Sequence, residues 1–435
     1  MSEYSAHVVL DNREAISVAE TSLKDSSFDR IIIKDCHLGT KEAATIIHIF
    51  RNNEFKEVLF ERCTGHLSAI LSVVLACTTL ESLSILIGSS NSTAFEPLAH
   101  SLGVGLLTNS KLKKLRLGTS NCSFFTLTSC AARSLEEGLC GNKTLSSLHI
   151  DNCRFADRCA LRIFAEAFRG SLRDVRIASC YEPNGQILED PSIAHLIHAL
   201  KNSTELEQLD ISHNKCLDMG MIALASLLDK TRLRKLNVSS QEMDRNEFMN
   251  TFHLVGALGR TSSLESLQLQ SNNLSSDYDM ANIAAVLSHN TSIKHIDLTY
   301  NNIRSSAMTI LASRIPSMKV LEHLLIDGNG GFDDETSMSL VKAMKENMVI
   351  RNFSCDPNLA DFKTIEYYAD LNWSGRRFIA AANTKTNKTH ETIAPISMAL
   401  WPRILSRIGR MSTDHERQAN AIYFILQRGS AIIPI

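Results

Sequence analysis

The sequence predicts a right-handed α/β solenoid, with parallel strands on an inner face, helices on an outer face and a small helical extension at the carboxy end. Three observations predict it. A frame of the form apolar-x-x-apolar-x-apolar-x-x-(Asn/Cys) returns twelve times between residues 28 and 358, at a mean spacing of roughly 29 residues. Inside each frame the second and third apolar positions alternate with polar ones, as a short strand with one buried face requires. Between frames, apolar residues recur at i, i+3, i+4 and i+7, the spacing of a helix with one apolar side. One such strand and helix cannot bury its apolar face alone, so successive units must stack into a shared core.

The elements follow in chain order. Residues 1–27 form an amino-terminal cap, with an amphipathic helix expected over Glu14 to Leu23. The twelve frames open at Phe28, Phe55, Leu80, Leu112, Leu145, Leu172, Leu206, Leu233, Leu264, Ile293, Leu321 and, more weakly, Ile350. Their ninth position is Cys in four units, Asn in five and Gly, Ser or Gln in three. Small side chains there suit a tight turn in which a donor or acceptor meets neighbouring backbone, so Cys36, Cys63, Cys153 and Cys180 are read as structural. Leu161, Phe164, Ala165 and Phe168, and likewise Met221, Leu224, Ala225 and Leu228, mark outer helices. Polar turns such as Gly141-Asn142-Lys143-Thr144 and His289-Asn290-Thr291-Ser292 close the helices. Their N-x-[ST] strings are read as turn chemistry rather than glycosylation, because no secretory signal is evident at the amino terminus. Residues 359–435 leave the repeat; short helices are expected over Ile396 to Ile408 and Glu416 to Gln427, after a polar linker from Asn383 to Thr392.

Composition excludes several classes. Hydrophobic residues at 44% and charged residues at 21% describe a folded chain, and 45 Lys+Arg against 47 Asp+Glu leave a formal net charge of −2. No overall field advertises a nucleic acid or an anionic membrane. The uncharged stretch from His66 to Leu80 is too short for a span and reads as a buried helix leading into a buried strand. Eleven scattered cysteines without a CxxC pair point to a reduced compartment, so a cytoplasmic location is expected, with the nucleus as a second one.

Enzyme signatures are scarce. The chain has no G-x-x-x-x-G-K-[ST], no G-x-G-x-x-G after a strand, no H-E-x-x-H and no G-x-S-x-G. His195 and His198 stand three apart on an outer helix with no accompanying ligand set. The run Asp327 to Glu335 is calcium-like in composition but places Met338 where a bidentate Glu is needed. No catalytic residue, cofactor or metal is expected.

Long units with a full helix, an Asn/Cys turn and stretches such as Leu206-Glu-Gln-Leu-Asp-Ile-Ser-His-Asn214 resemble the ribonuclease-inhibitor-like class of leucine-rich repeat proteins, over roughly three quarters of the chain. The resemblance implies a horseshoe-shaped solenoid that binds proteins. The segment Leu38-Gly39-Thr40-Lys41-Glu42-Ala43-Ala44 is similar to the first repeat of Ran GTPase-activating proteins, where an arginine important for activity follows the paired alanines; Thr45 stands there in this chain. The carboxy tail, through its LN-x-x-GR and LWP strings, resembles an extension carried by microalgal leucine-rich repeat proteins.

In a solenoid of this kind the fifth frame residue points out of the inner strand, flanked by the third and seventh. That row contains Arg116, His149, Arg176, Asp210, Asn237, Gln268 and Asp297, the candidate partner-binding residues. It is expected to grade from a basic middle, with Lys114, to an acidic rear. Few aromatics line it, which argues against stacking of single-stranded bases. The expected function is a non-catalytic scaffold, monomeric, that binds a protein on its concave strands, with small-GTPase regulation as the alternative.

Overall fold

The structure, a computed structural model, describes residues 7–22, 28–88, 95–120, 124–169, 172–201, 203–241 and 251–373. Asn202, Trp401, the linker from Asn383 to Thr392 and the two short helices expected in the tail lie outside these residues. The chain divides into two compact units, Met1–Leu258 and Gly259–Ile435.

The first unit begins with β1 (His7–Leu10), α1 (Arg13–Ser22), β2 (Arg30–Lys34), β3 (His37–Leu38), α2 (Thr40–Asn52), β4 (Glu57–Glu61), β5 (Thr64–Gly65) and α3 (Leu67–Ala76). It continues through β6 (Ser82–Ile87), α4 (Phe95–Thr108), β7 (Lys114–Thr119), β8 (Phe125–Leu127), α5 (Ser129–Gly141), β9 (Ser147–Asp151), β10 (Cys153–Phe155) and α6 (Arg158–Glu166). It ends with β11 (Asp174–Ala178), α7 (Asp190–Leu200), β12 (Gln208–Asp210), α8 (Asp218–Leu228), β13 (Lys235–Asn237) and α9 (Thr251–Leu258). The second unit holds β14 (Ser266–Gln268), α10 (Asp277–His289), β15 (His295–Asp297), α11 (Ser305–Arg314), β16 (His323–Leu325), α12 (Asp334–Glu346), β17 (Asn352–Ser354) and α13 (Phe362–Trp373).

The fold class is the expected one: parallel strands each followed by a helix. In the first unit the ladder runs β1-β2-β4-β6-β7-β9-β11-β12-β13, and in the second β14-β15-β16-β17. Two short pairs, β3 with β5 and β8 with β10, lie beside the main ladder. Strand β1, paired in parallel to β2, adds a ladder rung ahead of the first frame, inside the stretch read from sequence as a helical cap.

Register follows from burial. The fourth and sixth frame residues are withdrawn from water in every repeat, and the first in every repeat but the opening one, where Phe28 is half-buried; examples are Leu206, Leu209 and Ile211, and Leu264, Leu267 and Leu269. Each such side chain contributes about 1.5–3 kcal/mol relative to exposure, and a slip of one residue would put all of them in water. The helices supply the facing layer: Leu161, Phe164, Ala165 and Phe168 are buried as expected. In α8, Met221, Leu224 and Leu228 are buried with Ala223 and Leu227, while Ala225 is only half-buried.

In nine frames the chain leaves the strand at a residue with positive φ, the eighth of the frame: Asp35, Arg62, Asn152, Ser179, His213 and Ser240 in the first unit, and Ser271, Tyr300 and Gly328 in the second. This left-handed residue turns the chain off the ladder so that the ninth side chain can point inward. The third, fourth and twelfth frames have no such kink, and in the third and fourth the strands β6 and β7 run on to six residues each.

The ninth side chain then stitches neighbouring repeats. Asn301, fully buried, donates through Nδ2 to the Leu269 carbonyl at 2.9 Å and accepts from the backbone N–H of Asn272 and Leu274. Asn329 repeats the pattern on Leu298, Asn301 and Ile303, and Asn214 on Ile177 and Cys180. Cysteine supplies the donor half of this pattern, with the Cys63 thiol 3.2 Å from the Ile33 carbonyl. Burial pushes the Cys63 and Cys180 thiols up to about 12, so they remain protonated donors rather than nucleophiles.

A second set of amides closes the opposite turns. Asn142 donates to the Leu106 and Asn109 carbonyls and accepts from Thr144 and Leu145, and Asn290 accepts from Ser292 and Ile293. Both are buried. The N-x-[ST] strings here are turn chemistry, with their amides already occupied.

Candidate protein-binding face

The alternation that buries the fourth and sixth residues turns the third, fifth and seventh outward. Cross-strand pairing places Val9, Ile32, Leu59, Ser84, Arg116, His149, Arg176, Asp210 and Asn237 in one register row of the first unit. Gln268, Asp297, Leu325 and Ser354 form the corresponding row of the second. Five of the candidate residues, Arg116 to Asn237, therefore stand on consecutive strands. Gln268 and Asp297 neighbour each other in the second unit. The row is half-buried or exposed throughout.

The front of the first unit is apolar along its centre, with Val9, Ile32 and Leu59 side by side. Charges around it neutralise one another. Arg30 pairs with Glu57 at 3.6 Å, and Arg62 forks onto Asp35 at 2.5 and 2.7 Å while reaching Glu61 at 2.7 Å. Arg62 holds the Asp35 carboxyl below its ordinary range.

The middle differs from the basic stretch read from sequence. Arg116 donates through Nε to Asp151 at 3.0 Å, Arg176 donates through Nε to the other oxygen of Asp151 at 2.5 Å, and Arg176 also pairs with Asp210. Four charged side chains on four adjacent strands thus form one chain of ion pairs. Asp151 is only 8% exposed and Arg176 34%, whereas Arg116 is 48% exposed. Burial alone would lower the Arg176 pKa, but Asp210 and Asp151 beside it hold the guanidinium above its ordinary value. The cations are neutralised because the seventh frame position, Asp151, reaches across the row. A charge reversal at Arg176 would gather acids around it and disturb folding as well as binding.

His149 and Asp174 make a second cluster. His149 Nε2 lies 2.8 Å from Asp174 and 3.2 Å from Ser147 Oγ, and Ser147 donates to the same Asp174 oxygen at 2.8 Å. Burial pushes the Asp174 carboxyl up, yet His149, Ser147 and Lys114 together bring it below its ordinary value. Ser, His and Asp meet here in the wrong order for nucleophilic catalysis. The acid and the hydroxyl share one imidazole nitrogen, so no base is aimed at the serine and oriented from behind.

The second unit carries the expected acids, Asp297, Asp327 and Asp356, and stacks His295 on His323 with ring centroids 5.2 Å apart and planes 27° from parallel. The calcium-like run is otherwise engaged. Asp333 caps α12 by accepting from the Thr336 N–H, and the Asn329 amide belongs to the inter-repeat ladder. Among the described residues no three His, Cys, Asp or Glu side chains are grouped to hold a metal ion, and no helix is long and apolar enough to cross a membrane. His195 lies exposed on α7, and His198 Nδ1 faces the Ala194 carbonyl at 3.0 Å. Thr45, where the Ran-type resemblance has an arginine, lies half-buried within α2 and supplies no charge.

Sequence reasoning missed Asp151, Ser147 and Asp174 as members of the face. The signal was present. They occupy the seventh and third frame positions, and reading those rows across adjacent frames sets them beside Arg116, His149 and Arg176.

No known protein family and no curated protein matches the sequence. Among solved structures, the chain is similar to actin-binding site 2 of leiomodin-1, at 18% identity over 38% of this chain and 94% of that one, with a TM-score of 0.33. It is also similar to an internalin from Listeria monocytogenes, at 13% identity over 81% of this chain and 91% of that one, with a TM-score of 0.40. Neither score carries an argument about function, and the fold is established by the strand pairings themselves.

Proposed function

We propose that this chain is a non-catalytic recognition scaffold that takes a partner protein on its strand face. One observation carries the reading. Adjacent strands hold their outward side chains in register at the surface while every intervening side chain is spent on the core, which leaves an ordered array engaged only in its own ion pairs and local turn hydrogen bonds. Arrays of this kind give specificity through complementary charge and shape, with affinity concentrated at a few anchors. The apolar front of Val9, Ile32 and Leu59 offers such anchors, and the paired middle offers a charge pattern already held in place. The cytoplasm is the proposed compartment, supported by cysteines that are free thiols throughout the described residues.

Affinity capture from cell extract with mass spectrometry tests it. Ser84→Arg and Asn237→Arg on the face should each strip the captured partner, while Ile222→Arg, exposed on the outer helix α8, should leave it bound. Loss with Ile222→Arg and retention with both face variants would move the binding surface to the helices.

A further inference from the structure

The two units treat their face carboxylates differently. In the first unit Asp151, Asp174 and Asp210 are each answered by an arginine or a histidine. In the second, Asp297 accepts from the N–H and hydroxyl of Thr299 at 2.9 and 2.7 Å, Asp327 accepts from Ser354, and Asp356 accepts from the backbone and amide of Asn358. Among the described residues none of these three carboxylates is paired with a lysine or arginine. The nearest strand cations are committed at the second frame position, Lys294 to Glu265 and Arg351 to Glu322. Sheet geometry puts the three acids on one face, on neighbouring repeats.

The stacked imidazoles are an independent feature of the same face. His295 and His323 are cross-strand partners, and His295 lies two residues before Asp297 on the same side of β15. A flat aromatic patch beside carboxylates suits a guanidinium better than an ammonium. The guanidinium is planar, stacks on rings, is weakly hydrated and can fork onto oxygens, whereas the ammonium is a compact and strongly hydrated point charge. The groups around His295 are Asp297 on its own strand and Lys294 just before it, Ser266 and Gln268 on β14 with Glu265 just before it, and His323 on β16 with Glu322 just before it; Asn352 on β17 and Arg351 before it lie one strand further. Burial lowers the His295 pKa against the pull of Asp297, so this imidazole takes up its positive charge only on further acidification.

We infer that the strand face of the second unit docks an arginine-bearing segment of the partner protein, held by Asp297 and Asp327 and laid against the His295–His323 stack. The inference rests on the strand-face reading above and names the partner's chemistry. Docking weakens in acid, because a protonated His295 repels the guanidinium.

The test uses the full chain and labelled peptides of equal length alternating glycine with arginine, lysine or glutamate, read by fluorescence anisotropy. The arginine peptide should bind several-fold tighter than the lysine peptide, and the glutamate peptide should not bind. Asp297→Asn with Asp327→Asn should weaken the arginine peptide about tenfold. Asp334→Asn with Glu335→Gln, at the exposed start of α12, should leave it unchanged. Binding should fall as the pH drops below about 6.5, and His295→Gln with His323→Gln should flatten that dependence. Thermal melts and the single variants separate loss of binding from loss of fold. Equal affinity for lysine, or indifference to the two aspartates in a folded variant, overturns the inference. If that happens while Ser84→Arg and Asn237→Arg still strip the captured partner, this inference alone fails; if those variants also have no effect, the strand-face reading fails with it.

Discussion

Asp151 Oδ1 lies 2.5 Å from Nε of Arg176, and the second oxygen of the same carboxylate takes Nε of Arg116 at 3.0 Å. One nearly buried acid therefore fixes two guanidiniums on the strands to either side, and Arg176 carries the chain on to Asp210. Asp151→Asn should destabilise the fold by about 1–3 kcal/mol, short of a fully buried pair because both guanidiniums reach solvent. Arg116→Ala should cost under about 1 kcal/mol. Urea unfolding of the two variants checks the ranking. Equal costs would mean that Asp151 is not the hub.

The register of the ladder predicts a sharp contrast between neighbours. Leu267 is buried and Gln268 is half-exposed on the opposite side of β14. Leu267→Ala should cost about 2–5 kcal/mol, whereas Gln268→Ala should stay within about 0.5 kcal/mol. Chemical denaturation decides between this and an inverted register, in which the order reverses.

The asparagine ladder is a stability device rather than a binding feature. Asn301→Ala leaves the Asn272 and Leu274 N–H groups and the Leu269 carbonyl short of a partner. At about 1–3 kcal/mol for each buried group, partly relieved by relaxation, a loss of about 2–4 kcal/mol follows. Asn301→Cys keeps the donor, as Cys63 does naturally, and should lose less. Thermal unfolding showing no difference between the two substitutions would contradict the role given to the donor.

Helices α4 and α5 approach at Gly103 and Gly138. A Cβ on Gly103 would stand 2.1 Å from the Ser134 carbonyl oxygen, and one on Gly138 would stand 2.6 Å from the Gly103 Cα. Alanine gains about 1 kcal/mol of helix propensity over glycine, but a clash with backbone costs about 1–3 kcal/mol or more. Gly103→Ala should therefore destabilise, and a raised melting temperature would show that the helices can separate at no cost.

His295 gives the stability curve an acid-side slope. Its folded pKa is below the ordinary histidine value because of burial, so the folded state binds fewer protons than the unfolded one across that interval. Stability is then highest above about pH 6.5 and falls as pH drops from there toward the lower folded value. His295→Gln should remove this component from a series of melts. An unchanged slope between wild type and variant would assign it to other groups.

The repeat and the strand faces were legible in the sequence because the fourth and sixth frame residues are apolar almost without exception. The inward Asn and Cys turns and the occupied amides of Asn142 and Asn290 were legible for the same reason: one position, one chemistry. The left-handed eighth position was not, since Asp35, Arg62, Ser179, His213 and Tyr300 share a backbone angle and no side-chain property. Strand β1 escaped notice because His7–Leu10 carries no full frame. The charge network escaped because its partners stand 25 to 35 residues apart, where each arginine reads as a free cation until the row beside it is read across the strands.

The most direct measurement of the central claim is site-specific photocrosslinking to the captured partner, with the crosslinker placed at Ser84 or Asn237 on the strand face, or at Met219 or Phe252 on the outer helices. Recognition on the strand face predicts that the partner is trapped from Ser84 and Asn237 and escapes from Met219 and Phe252. Trapping from the helix positions with none from the strand positions would contradict it.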